Sequence, residues 1–157
     1  MSSIVKTVDV AVPVRTAYDQ WTQFEEFPKF MEGVEQVRQL DDQNLAWRAR
    51  VGGKTVEWSA RITEQLPDQR IAWTSTSGAR NAGVVTFHRV SDDACRVALQ
   101  VDYEPDGVVE NVGDWMGVLS ARVQGDLARF KHFIESRGHE TGAFRGTLPR
   151  SGSGAGR

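Results

Sequence analysis

The sequence predicts an α+β fold in which a curved antiparallel β-sheet of about seven strands wraps around one long C-terminal α-helix. Three observations carry this expectation. Apolar and polar residues alternate in run after run between Val34 and Tyr103, the period of a sheet with one buried face. Short turns separate these runs, and short connections favour an antiparallel meander over parallel crossovers. After Gly107 the apolar period changes to about 3.6 residues and holds to Ser136.

The elements follow in order. Ile4 to Val12 is rich in β-branched residues, ends at Pro13 and reads as a first strand. Ala17, Tyr18 and Trp21 then fall at helical spacing. Phe24, Phe27, Phe30 and Met31 mark a second short helix, limited by Pro28 inside it. Val34–Leu40, Leu45–Val51 and Val56–Ile62 read as strands, the last two joined by Gly52-Gly53, a pair suited to a tight hairpin. Leu66-Pro67-Asp68-Gln69 turns the chain into a strand at Ile71–Ser75. Gly78-Ala79-Arg80-Asn81 reads as a loop, followed by strands at Gly83–His88 and Val97–Tyr103. Apolar residues from Val112 to Ile134 recur every three or four positions. They predict one amphipathic helix from about Val109 to Ser136, roughly 40 Å long. Residues 1–137 thus make one domain, and 138–157, ending in a Gly/Ser-rich run, read as a flexible tail.

A chain of 157 residues buries a sizeable core without disulfides or metals, and its one cysteine, Cys95, excludes an intrachain disulfide. The formal net charge of −2 gives no global attraction to nucleic acid. No apolar run approaches the length of a bilayer span, and Met1–Lys6 carries no secretory pattern, so a cytoplasmic protein is expected. Phosphate loop, dinucleotide fingerprint, nucleophile elbow and zinc-binding histidine pair are all absent. One cysteine and three scattered histidines argue against a metal site. No cofactor is called for, and no catalytic residue follows from the sequence.

Several stretches resemble the START-like superfamily, also called SRPBCC or Bet v 1-like. Val10 to Trp21, through Pro13 and Tyr18, resembles its first strand and helix start. Phe24, Phe27, Pro28 and Phe30 stand at the spacing of its aromatic–proline segment. Glu64, Pro67, Ile71 and Trp73 match its Glu-x-x-Pro-x-x-x-Ile-x-Trp hairpin. Together they are similar to the polyketide cyclase/dehydrase branch, in stand-alone bacterial form, over residues 1–137. The resemblance implies a helix-grip fold. It also implies a function among those of the branch: aromatases that cyclise polyketides, quinone-binding proteins and ribosome-associated modules.

The candidate site is a cavity between sheet and helix. Strand parity turns Trp47 and Trp58 to the apolar face of one hairpin. With Trp73, Phe87 and Tyr103 they are candidates to line an aromatic-walled cavity. Phe27 and Phe30 of the short helix and Trp115, Met116 and Leu119 of the long one complete that set. Arg80 and Asn81, read as loop residues, and Arg122, at the edge of the helical stripe, are candidates for the rim. His88 and Arg61 have the opposite parity and should face solvent.

The expected function is binding of a small hydrophobic ligand, polycyclic aromatic or lipid-like, in that cavity. The alternatives are a cyclase/aromatase acting on a poly-β-ketone chain, which requires an acyl carrier protein as partner, and a quinone-binding or ribosome-associated interaction module. A homodimer is compatible with the sequence.

Overall fold

Strand β1 (Ser2–Val10) leads through Pro13 into helix α1 (Val14–Trp21) and a 3-10 helix (Phe24–Lys29) that contains Pro28. Six strands follow: β2 (Val34–Gln39), β3 (Asn44–Val51), β4 (Lys54–Leu66), β5 (Arg70–Gly78), β6 (Arg80–Ser91) and β7 (Ala94–Glu104). Helix α2 (Val112–Arg137) comes last. This computed structural model describes residues 2–51, 53–78, 80–104 and 112–148.

The seven strands form one antiparallel sheet in the order β1-β7-β6-β5-β4-β3-β2. From β2 to β7 it is the predicted meander. The first strand joins the far edge, where Ile4 lies opposite Val101 and Val8 opposite Val97. Register shifts interrupt the β2–β3, β4–β5 and β6–β7 ladders. Such bulges bend a strand and increase its twist, which curls the sheet into a half-barrel. The result is the helix-grip, α+β architecture expected from the sequence.

The concave face closes on α2. Leu119, Val123, Leu127, Phe130 and Ile134 of the helix are buried there against Val85, Val97 and Ile71 of the sheet. Charged side chains then fix the helix by bonding to backbone. Lys131 donates to the Asp9 carbonyl at 3.0 Å, Arg129 donates to the Phe30 carbonyl at 2.9 Å, and Glu135 accepts from the Ala11 N–H at 2.7 Å.

The structure differs from the sequence reading at three places. In the expected loop, Gly78 ends β5 and Arg80 and Asn81 already belong to β6 (Ala79 lies outside the described residues). The β4–β5 shift between Ile62 and Glu64 also reverses strand parity. It turns Gln65 inward, to 1% exposure, although simple alternation from Ile62 would point it out.

Gln65 meets the third difference. The segment from Gly138 to Leu148, expected to belong to a flexible tail, packs across the domain. Leu148 is buried and exchanges backbone hydrogen bonds with Gln65 at 2.7 and 2.8 Å. Thr141 and Gln20 pair reciprocally, and the Phe144 N–H donates to Thr22 Oγ1 at 3.1 Å. Arg145 completes the strap. Its guanidinium donates to Asp19 Oδ1 at 2.7 Å and to both carboxylate oxygens of Asp68 at 2.7 and 3.0 Å, with Cζ 5.5 Å from the Tyr18 ring centroid.

Asp19 is only 1% exposed, and burial raises its pKa against the pull of Arg145. Removing one partner of a buried pair leaves an uncompensated charge, at a typical cost of about 3 kcal/mol. Arg145→Ala should therefore destabilise the protein by about that amount in urea unfolding. Adding Asp19→Asn should recover part of the loss, since it removes the stranded charge.

Candidate functional site

The packing of α2 on the sheet leaves a cavity of about 160 Å³. The sheet contributes Trp47, Trp58 and Trp73 to its lining, with Ile62, Ile71 and Leu99. Helix α2 contributes Leu119 and Val123. The segment from α1 through the 3-10 helix contributes Trp21, Phe24, Phe27 and Met31.

The tryptophans are placed by local rules. Trp47 and Trp58 are directly opposed in the β3–β4 register and alternate with outward Ala46, Arg48, Glu57 and Ser59. Their rings stack at 5.3 Å between centroids and 11° between planes, and Phe27 packs on Trp47 at 5.5 Å. The Trp73 indole instead lies over β6, where Gly83 has no side chain. A Cβ there would stand 2.4 Å from Trp73 Cη2 and 2.5 Å from the Gln100 carbonyl. Trp73 donates its N–H to Asn81 Oδ1 at 2.9 Å.

Polar groups enter the lining at Asn81, Tyr103, Glu32, Arg122 and Asp126. Arg122 Nη1 donates to the Glu32 carbonyl at 2.9 Å and the Arg50 carbonyl at 3.0 Å, tying α2 to the chain before β2 and to the end of β3. Gly33, at φ +86°, makes this approach possible, because a Cβ would fall 2.1 Å from Arg122 Nη1. Asp126 Oδ1 accepts from the Glu32 N–H at 3.1 Å and from Arg129 Nη2 at 2.6 Å. Burial nevertheless pushes the Asp126 carboxyl up to about 6, outweighing the opposite effect of Arg129 and Arg122.

Of the sequence-predicted residues, the structure brings Phe27, Trp47, Trp58, Trp73, Tyr103 and Leu119 to the cavity, together with Asn81 and Arg122. It does not bring Phe30, Phe87 or Arg80. Phe30 packs on Phe130 and Phe133, and Phe87 packs on Tyr18 and Trp21, so both rings are spent on the aromatic core beside the cavity. Arg80 is exposed on β6. The side chains of Trp115 and Met116 lie outside the described residues. His88 and Arg61 are exposed, as their parity requires. Asp126 was missed, although a signal for it exists. It follows Leu119 by seven residues and Arg122 by four, which places all three along one side of the helix.

The sequence profile of the family described as polyketide cyclase/dehydrase and lipid transport matches residues 10–131. This chain belongs to that family. A relative within reach of direct comparison is an uncharacterized 17.2 kDa protein of Streptomyces lincolnensis, 53% identical over 149 residues, covering 94% of this chain and 99% of the relative. Two solved structures share the family's helix-grip fold at low identity. The Zhui aromatase/cyclase of a Streptomyces species superposes with a TM-score of 0.76 at 15% identity, over 91% of this chain and 99% of that one. A START superfamily protein of Mycobacterium smegmatis gives 0.72 at 12% identity, over 86% and 98%. Among the described residues, no helix of this family member is long and apolar enough to cross a membrane.

Two outcomes follow from this geometry. Gly83→Ala should cost about 1–3 kcal/mol in denaturant unfolding and perturb the Trp73 near-ultraviolet signal, since both the indole and the β7 backbone obstruct the added methyl. Asp126 should impose a slope on stability. The folded state holds its proton up to about pH 6, whereas an unfolded aspartate releases it near pH 4. The folded state therefore binds more protons in that window, and this group's contribution falls as pH rises through it. Unfolding free energies measured across the window should fall more steeply with pH in the wild type than in Asp126→Asn.

Proposed function

We propose that this protein binds a small hydrophobic molecule in the cavity between its sheet and α2. The observation that carries this reading is a partly open cavity, lined mainly by aromatic and aliphatic side chains, beside an otherwise continuous core. Close-packed interiors leave few spaces of this kind, and each one forfeits dispersion contacts that a ligand restores. At about 160 Å³ the space matches one aromatic ring or a small bicyclic molecule. Larger ligands require the lining to shift, since sites for drug-sized molecules span roughly 300–1,000 Å³. Affinity would come from burial, at about 25 cal/mol per Å² of apolar surface before association costs.

Native mass spectrometry of the purified protein, before and after organic extraction, tests this reading, followed by titration with small aromatic molecules. Near-stoichiometric uptake is expected. Ala49, buried in the lining, offers the control: Ala49→Leu fills part of the space and should weaken uptake at least about tenfold while unfolding stays cooperative. A wild-type protein that takes up none of the panel would overturn the proposal.

A second reading is catalysis of cyclisation, and Asp126 favours it. A carboxyl group with a pKa near 6 in an apolar cavity exchanges protons close to neutral pH, which is what general acid–base chemistry on a ketone chain needs. The substrate would arrive on an acyl carrier protein. The test is turnover of a poly-β-ketone thioester: acceleration that depends on Asp126 supports catalysis, and a rate equal to buffer removes it.

A further inference from the structure

The C-terminal strap is held to the domain by polar bonds far more than by apolar burial. From Gly138 to Leu148, Leu148 is the one buried residue. The surface beneath is polar in turn. Among the described residues five polar side chains are buried: Asp19, Gln20, Thr22, Gln65 and Asn81. The first four belong to residues that bond the strap. Interiors hold few polar side chains, so their concentration under one segment marks this face as an interface rather than core.

An interface of this kind can open. The atoms bonded to the strap are those its departure uncovers, and water then takes over their hydrogen bonds. Asp19 also keeps the exposed Arg15, whose Nε lies 3.6 Å from its carboxylate. The strap lies beyond residues 10–131, which define the family, and is an addition to the fold. Segments with little apolar burial open locally, well below the free energy of global unfolding.

What the strap fills has the form of a peptide site. Leu148 exchanges two backbone bonds with Gln65 at the end of β4, and Gln20 and Thr22 accept from the Thr141 and Phe144 N–H groups at 2.9 and 3.1 Å. Such backbone contacts accept many extended sequences. Selectivity lies in Arg145. Asp19 and Asp68 converge on its guanidinium, Asp68 through both carboxylate oxygens, and the Tyr18 ring lies against it. A forked, planar cation meets this geometry and an ammonium does not.

We propose that α1 and the β4–β5 turn form a binding site for an extended peptide bearing arginine three residues before leucine, and that the strap is its built-in occupant, displaced when such a segment of a partner protein binds. Exchange of straps between two copies is disfavoured. Thr141 follows Gly138 by three residues, a reach of about 10 Å, so exchange would crowd two α2 ends together, each with an exposed Arg137.

Hydrogen exchange on the full wild-type chain gives the first readout. The Thr141, Phe144 and Leu148 amides should exchange together, at least about a hundredfold faster than amides of the β6–β7 ladder. Anisotropy titration with a labelled peptide of the sequence of residues 139–148 gives the second. The wild-type strap competes with it. Arg145→Lys keeps a charge beside Asp19 but loses the fork, and should bind the peptide at least about tenfold more tightly than the wild type does. Lysine in place of the peptide's arginine should weaken binding about tenfold. Adding Asp68→Asn to Arg145→Lys should remove most of that preference, since asparagine tolerates the φ of +65° there and removes only the charge. Strap amides that exchange only with global unfolding overturn the proposal. So do equal affinities for the arginine and lysine peptides, no uptake by Arg145→Lys, or a dimer by sedimentation in place of peptide uptake.

Discussion

A single α-helix presents an apolar stripe too narrow to cover the concave face of a seven-stranded sheet, and the rest of the structure is arranged around that shortfall. One part of the gap is filled. Trp21 packs edge-on against Phe27, Phe87 and Phe130 and tilted against Phe30, forming an aromatic plug between α1, the 3-10 helix, β6 and α2. The other part is left to the tryptophans of β3, β4 and β5, whose rings cannot meet the helix closely enough to exclude all space. The cavity is the unfilled remainder of a packing problem that the plug solves only partly.

Polar and charged groups determine how firmly this arrangement is held. Arg122, Arg129, Lys131 and Glu135 spend their hydrogen bonds on backbone atoms around Ala11, Phe30, Glu32 and Arg50, so α2 is positioned by directional bonds as well as by its apolar stripe. The C-terminal strap supplies the buried Asp19 carboxylate with the Arg145 guanidinium and pairs the Gln65 backbone with that of Leu148. Asp126 stands apart from both groups. Its bonds to Glu32 and Arg129 hold the carboxyl in place, yet burial dominates its proton affinity, which makes it a proton-exchanging group within an apolar lining.

Much of this was legible in the chain. Alternation placed Trp47 and Trp58 on the concave face and Arg61 and His88 on the convex one, because strand side chains can only point two ways. The 3.6-residue period exposed the stripe that became Leu119, Val123, Leu127, Phe130 and Ile134. Periodicity fails where the backbone departs from regularity. A bulge carried Gln65 to the other face, and Gly78, Arg80 and Asn81 are strand residues where glycine and asparagine suggested a loop. The strap from Thr141 to Leu148 has no strong periodicity of its own, and its order comes from partners more than a hundred residues earlier in the chain, such as Asp19, Gln20 and Thr22.

The sequence by itself determined the class of fold, the order of its elements and the face that Trp47 and Trp58 present, since these depend on local period and turn chemistry. Only the tertiary structure decided which aromatics fill the core and which border a void, that Trp73 finds an acceptor while Trp47 and Trp58 do not, and that Asp126 holds its proton so strongly. Those outcomes depend on distances between residues far apart in the chain, and a local pattern carries no information about such distances.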